Sequence, residues 1–384
     1  MQSGSVNSVN QSQAADSVIH SGSMTFLMRP TLKISMIIPV YQGGIAFAQC
    51  LDAVHRYGSL ANEVIIVIDG SDNRSAVLAA RSGHRVIQLS HNSGPAKARN
   101  VGAQAAVGDI LFFLDADVAL GLETLYQIQR GFKEGSQWDA VIGSYDDQPG
   151  SPNFLSQYKN LLHHYTHQRA RTNASTFWGA CGAIRRSVFW QAGGFDECYR
   201  HPSIEDIELG YRLTRLGYRI ALDKQVQVKH LKRWGIRSLL KADFFYRALP
   251  WTRLIWRDRS LVNDLNLDTT SRLSIISVYL MVGLAALSLW WTPLLLGAIA
   301  FGLAFIGLNA SVYQFFWGKR GLSFALRAIP WHWLYYAYSG LAFVIGTLQY
   351  WLLQEKAAPS PAQIQPLSPP RVEFATASLQ DADR

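Results

Sequence analysis

Two aspartates one residue apart, Asp115 and Asp117, close the stretch Asp109-Ile-Leu-Phe-Phe-Leu-Asp-Ala-Asp117. Carboxylates at that spacing can share one divalent cation and the anionic groups it bridges, because hard cations take oxygen ligands. Taken alone, the pair also describes two acids in a surface turn. The preceding residues decide between these readings. Ile110 to Leu114 is an unbroken apolar run of the length of a buried parallel strand. Ligands of open α/β sheets bind outside the carboxyl ends of the strands, where these acids fall. A second acidic pair, Glu205-Asp206, opens an amphipathic stretch that runs to Leu216. Acids in a first helical turn suit the helix dipole, and a carboxylate there can also take a proton from a hydroxyl.

The elements that would position these acids alternate. Lys33 to Tyr41 reads as a short strand that ends at Pro39 and leads into a loop, and Ala46 to Tyr57 has helical spacing. Glu63 to Ile68 is a buried strand stopped by the turn sequence Asp69-Gly-Ser-Asp72. A helix over Arg74–Ser82, a strand over Arg85–Leu89 and a helix over Gly94–Val107 lead to the strand before the paired acids. Such alternation predicts a mostly parallel central sheet covered on both faces. After about residue 150 the pattern loosens to a helix over Phe154–Arg171, a strand over Thr176–Ile184, a turn at Gly193–Asp196, the Glu205 helix and a strand over Tyr218–Val228. His163, His164 and His167 lie on the first of these helices; His163 and His164 read more simply as helix surface and core residues than as a wall of the site.

Composition points to a membrane. Apolar residues make up 49% of the 384 and charged residues only 16%, and no charge occurs from Leu273 to Gly318. That stretch, broken at Trp291-Thr292-Pro293, suits two spans, and Ala328 to Gln354 suits a third. The net charge of +9 is concentrated just before them, where nine basic residues from Lys229 to Arg259 face only Asp243 and Asp258. Basic residues mixed with Trp234, Trp251 and Trp256 beside a span favour an anionic lipid surface as the partner, not nucleic acid. Arg272, Lys319, Arg320 and Arg327 then fall on one side, which puts the N-terminal domain on the cytosolic face of a multi-pass protein of the bacterial inner-membrane kind. Residues 1–30 lack the basic start and apolar core of a secretory signal and read as disordered, as do residues 355–384. Cys50, Cys181 and Cys198 have no ligand spacing and fit free thiols in a reducing compartment.

Six short motifs occur in order: Ile38-Pro-Val-Tyr41, Ile68-Asp-Gly-Ser71, Asn92-Ser-Gly-Pro-Ala-Lys-Ala-Arg-Asn100, Leu114-Asp-Ala-Asp117, Gly193-Gly-Phe-Asp196 and Ile204-Glu-Asp-Ile-Glu-Leu209. Together they resemble the family 2 inverting glycosyltransferases, over about residues 33 to 235. The resemblance implies the GT-A nucleotide-sugar-binding fold over residues 31–235, and composition adds a basic amphipathic region over 236–271 and about three membrane helices over 272–354. It implies that Asp117 holds a divalent cation, Mg or Mn, and that Asp115 contacts the ribose. Asp69 would bond the nucleobase, which Pro39 and Tyr41 would back, with Arg99 near the nucleotide. Asp206 resembles the family's general base, Glu205 an orienting partner, and His230 a third metal ligand.

The chain also departs from the family pattern. Ile68 stands where the family has a first acid before Gly-Ser, and Tyr41 is followed by Gln-Gly-Gly. Processive polysaccharide synthases carry Gln-x-x-Arg-Trp, whereas this chain has His230-Leu-Lys-Arg233-Trp234 and few spans for a pore. The expectation is therefore a membrane-anchored enzyme that adds single sugars, with inversion, from a nucleotide sugar to a lipid-linked acceptor. A processive synthase is the alternative, followed by a non-catalytic nucleotide-sugar-binding membrane protein.

Overall fold

The computed structural model describes residues 32–133, 135–259, 262–263 and 267–353, which belong to one compact unit; the segments expected to be disordered, 1–30 and 355–384, lie outside them. The chain begins with β1 (Ile34–Val40), α1 (Gly44–Tyr57), β2 (Glu63–Ile68), α2 (Asn73–Arg81), β3 (Arg85–Gln88), α3 (Pro95–Ala105) and β4 (Ile110–Leu114). These strands pair in parallel in the order β3-β2-β1-β4. Their side chains alternate between two apolar layers, as a period of two requires. Ile38, Ile66, Phe112 and Leu114 pack with Phe47, Leu51 and Val54 of α1. Ile37, Val67, Leu111 and Phe113 face the opposite way, where Phe113 meets Phe195 edge to face at 5.1 Å.

Beyond β4 come β5 (Val118–Leu120), α4 (Thr124–Gly131), β6 (Ala140–Tyr145), α5 (Phe154–Arg169), β7 (Asn173–Ala174), β8 (Cys181–Arg185), α6 (Arg186–Gln191), α7 (Glu205–Arg215) and β9 (Ile220–His230). The expected parallel arrangement holds through β4, after which the sheet is mixed. β8 runs antiparallel to both β4 and β6, β9 pairs in parallel with β6, and β5 and β7 lie antiparallel to β9. The strand expected over Thr176–Ile184 is shorter, because residues 176–180 turn toward the acids instead of extending the ladder. Two glycines fix this arrangement. A Cβ on Gly210 of α7 would strike the backbone of Thr176 and Phe177, and one on Gly94, whose φ is +94, would strike the Arg200 carbonyl.

The remaining chain is helical: α8 (Ile236–Lys241), a π-helical turn (Ala242–Ala248), α9 (Leu249–Asp258), α10 (Thr269–Leu287), α11 (Leu294–Leu308), α12 (Ala310–Arg320) and α13 (Leu322–Leu353). The expected three spans are not reproduced. Among the described residues one helix, α10, is long and apolar enough to cross a bilayer, and α11 with α12 qualifies only as a pair bent by 59°. The bend falls at Asn309, which is buried and whose amide donates to Ser274 Oγ (2.9 Å) and to the Phe305 carbonyl (3.0 Å). The expected third span lies within α13, whose first half carries Arg327, Pro330 and His332 and packs through Ala328 and Tyr336 against α5 and α12. Polar and aromatic residues used for that packing dilute its hydropathy.

Candidate active site

The carboxyl ends of β1, β2 and β4 place the donor-side residues. Tyr41 leaves β1 exposed, and Pro39 sits half-buried beside Val67 of β2. The loop between β1 and α1 is tightly turned, since Gln42, where the family pattern differs, has φ +50. Asp69 ends β2 and is buried. It accepts from the amides of Ser93 (2.7 Å) and Gly94 (2.8 Å), so it holds the loop that opens α3. Asp115 and Asp117 follow β4, each about one-third exposed.

Arg99 joins the two halves of the site. Carried inward by α3 and only 4% exposed, it donates from Nη2 to Asp115 Oδ1 (2.7 Å) and from Nη1 to Glu205 Oε1 (2.8 Å), and lies over the Phe195 ring at 5.3 Å. Burial alone would weaken its protonation, but Asp115 and then Glu205 outweigh that and hold it charged. Glu205 accepts with its other oxygen from the Ser203 amide at 2.9 Å. A buried arginine bonded to two carboxylates is costly to disturb, because removing it strands both charges.

Asp206, the second residue of α7, is half-buried and accepts from the amides of Gly179 (3.0 Å) and Ile207 (2.8 Å). Burial, then the adjacent Glu205 charge, push its carboxyl up to about 7, against the pull of the Gly179 amide and Arg99. A carboxyl with that value can exchange a proton at neutral pH. Gly179 was not singled out by sequence reasoning. A Cβ there would stand 3.1 Å from the Arg99 guanidinium carbon, so glycine lets the loop approach both Arg99 and Asp206. The only signal was the density of small residues in Trp178-Gly-Ala-Cys-Gly182.

His230 ends β9 and reaches the Asp117 carboxylate. Its Nε2 lies 3.9 Å from Asp117 Oδ2, and its ring stacks on Tyr145 at 4.2 Å. Burial, followed by the charges of Lys232 and Arg247, pushes His230 down to about 3, so its imidazole is neutral at pH 7 and free to act as a donor atom. Behind it, His163 stacks on His167 (3.9 Å) and tilts against Trp178, while His164 bonds the Tyr145 carbonyl (2.7 Å). These histidines form an aromatic layer with Tyr145 and Trp178. Cys50 and Cys181 are buried under the acidic loop, and burial pushes both thiols far up.

A carboxylate oxygen and a neutral imidazole nitrogen are suitable donors for Mg or Mn. Among the described residues, however, no group of three His, Cys, Asp or Glu side chains gathers around one point. Asp117 and His230 therefore suit an ion that takes its remaining ligands from substrate phosphates and water, as Mg commonly does. Lys232, also missed in the sequence, shares the Asp117 carboxylate at 3.8 Å.

The description Glycosyl transferase family 2 matches residues 35–193, which span β1 through the turn after α6. The chain carries a family 2 glycosyltransferase domain. It is 27% identical over 209 residues to the probable glycosyltransferase YdaM of Bacillus subtilis, covering 50% of this chain and 49% of that protein. It is 24% identical over 279 residues to validoxylamine A glucosyltransferase of Streptomyces hygroscopicus subsp. jinggangensis, covering 62% and 64%. The matches thus span less than two thirds of these relatives. Among solved structures, the mannosyltransferase PcManGT from Pyrobaculum calidifontis, in complex with GDP-Man and Mn2+, is similar with a TM-score of 0.54 at 16% identity, covering 85% of this chain and 89% of that one. At that identity the likeness shows the fold, and the transferase domain has the GT-A arrangement of a mixed α/β sheet.

Proposed function

We propose that this protein transfers a sugar from a nucleotide sugar to a lipid-linked acceptor, with inversion at the anomeric carbon. The reading is carried by Arg99, which ties Asp115 on the donor side to Glu205 beside Asp206, a carboxyl poised near neutrality. Tyr41 and Pro39 back the nucleobase, Asp69 shapes the base-side loop, and Asp115 takes the ribose. Asp117 and His230 hold a divalent cation, which when bound offsets negative charge on the diphosphate.

Asp206 accepts the proton of the acceptor hydroxyl as its oxygen attacks the anomeric carbon. The new carbon–oxygen bond forms on the face opposite the bond to the diphosphate. That bond breaks with its electron pair leaving on the nucleoside diphosphate. The Gly179 amide helps fix Asp206 in orientation while the Glu205 and Arg99 charges set its proton affinity, and the stacked Tyr145 ring keeps His230 in place.

Anchoring rests on α10 and the bent pair α11–α12, joined by a turn with exposed Trp290 and Trp291, as at a bilayer interface. The basic segment before them supports a site on the cytosolic side, close to lipid. The test is incubation of the full chain in detergent with a panel of nucleotide sugars and lipid extracts, followed by mass spectrometry and assignment of anomeric configuration by NMR. Inverted glycolipid and released nucleoside diphosphate are expected. Efficient transfer to free sugars with none to any lipid, or a retained configuration, contradicts the reading.

A further inference from the structure

The π-helical turn Ala242–Ala248 carries a buried charge cluster that the proposed chemistry leaves unused. Asp243 is only 4% exposed and accepts from three elements: Lys159 Nζ of α5 (2.6 Å), Arg247 Nη1 (2.9 Å) and Tyr338 OH of α13 (2.8 Å). One carboxylate thus faces two cations, leaving one positive charge in excess. Lys159 is mostly covered, whereas the Arg247 side chain is 46% exposed. Among the described residues the Arg247 guanidinium makes one hydrogen bond, to Asp243, of the five its N–H groups can donate.

Position gives this excess charge a use. Trp234 is buried under both Arg247, whose guanidinium carbon lies 5.9 Å from its ring, and Lys232, whose ammonium lies 4.7 Å from it. Lys232 in turn meets Asp117 at 3.8 Å, so the two exposed cations form a strip leading from the donor acids toward the helices. The Arg247 charge also bears on His230, Tyr145 and Asp206, which sets it on the reacting side of the domain. Ile236 and Phe245, in the same segment, expose large apolar side chains. A cation anchored through Tyr338 to α13, with exposed apolar residues nearby, suits a ligand that joins a phosphate to a hydrocarbon chain.

We propose that Arg247, held in position by Asp243 and Tyr338, binds the phosphate of the acceptor lipid and makes the enzyme select phosphate-bearing acceptors over uncharged ones. This rests on the lipid-acceptor reading above. Arg247 is then a specificity-determining residue and Asp243 a positioning residue that acts through it. A π-helical turn spaces the i and i+4 side chains differently from an α-helix, and such turns recur at functional sites.

The experiment measures binding of a polyprenyl phosphate and of the matching polyprenol to the full chain in detergent, with nucleoside diphosphate and Mn measured separately. Wild type should prefer the phosphate by at least ~10-fold, the scale of a charge-assisted hydrogen bond. Arg247→Met should abolish that preference, leave nucleoside-diphosphate affinity within about twofold and keep the melting temperature, since a half-exposed side chain is removed. Asp243→Asn should weaken the preference and Asp243→Glu restore part of it. An undiminished preference in Arg247→Met overturns the proposal, as does a wild type that binds both lipids equally. A parallel loss of nucleoside-diphosphate affinity also overturns it, by assigning Arg247 to the donor. Failure of wild type to bind any nucleotide or nucleotide sugar would instead sink the transferase reading, while the lipid comparison still reads Arg247.

Discussion

The half of the site proposed to take the donor and the half proposed to take the acceptor are built differently. The proposed donor residues sit on short turns at the ends of β1, β2 and β4, parallel strands whose register brings Tyr41, Asp69 and Asp115 to the same edge of the sheet. Acceptor residues come from the helix start at Glu205-Asp206, the end of β9 and the helical segment after Trp234, held together by long-range side-chain bonds. The first half is a local consequence of strand endings. The second exists only when distant segments meet, and Arg99 is where they meet. Donor binding and acceptor chemistry should therefore be separable by mutation everywhere except at Arg99.

The largest effect is expected at the metal side. Asp117→Ala should lower turnover by roughly 10³-fold, as should a chelator, with Mn or Mg restoring the wild type but not the variant. Stopped or coupled assays of nucleoside-diphosphate release check this, and full activity of the variant in chelator would contradict it. Arg99→Met should lose both halves together and unfold about 3–5 kcal/mol more easily, because Asp115 and Glu205 are left uncompensated. Denaturant titration reads that loss; unchanged stability would mean the two halves are not coupled through this residue.

A smaller effect is a pH limb. As the proposed base Asp206 would work deprotonated, so kcat/KM should rise about tenfold per pH unit below about 7 and level off above it, provided Glu205, Arg99 and Asp115 keep their charges. Linkage gives the opposite sign for stability. The folded carboxyl binds its proton more tightly than the unfolded one, so stability falls as pH rises from about 4 through about 7. Asp206→Asn should flatten that decline in thermal melts. Smallest is Tyr41→Ala, which removes an exposed ring and should weaken donor binding about fivefold to tenfold, the scale of one base stack, without changing acceptor affinity.

The same contrast explains what could be read from the chain. β1, β2 and β4 were legible because strands buried on both faces need continuous apolar runs, and the acids punctuate their ends. β5, β6 and α4 were not anticipated, because three- to eight-residue elements with mixed composition leave no period to count. Arg99 was visible as a basic residue near the nucleotide, but its bond to Glu205, 106 residues away, was not. Lys232, Gly179 and Arg247 were invisible as site residues, since a lysine, a glycine and an arginine gain meaning only from what they touch. The same holds for the helical region: lack of charge was legible, but the bend at Asn309 and the packing of α13 arise from tertiary contacts.

The central claim is that Asp206 serves the acceptor and not the donor. Asp206→Asn should bind a nucleotide sugar, by calorimetry with Mn, within about twofold of wild type, while acceptor-dependent release of nucleoside diphosphate falls at least ~10²-fold, the scale of general-base catalysis. Donor affinity lost along with turnover, or turnover left intact, would contradict it.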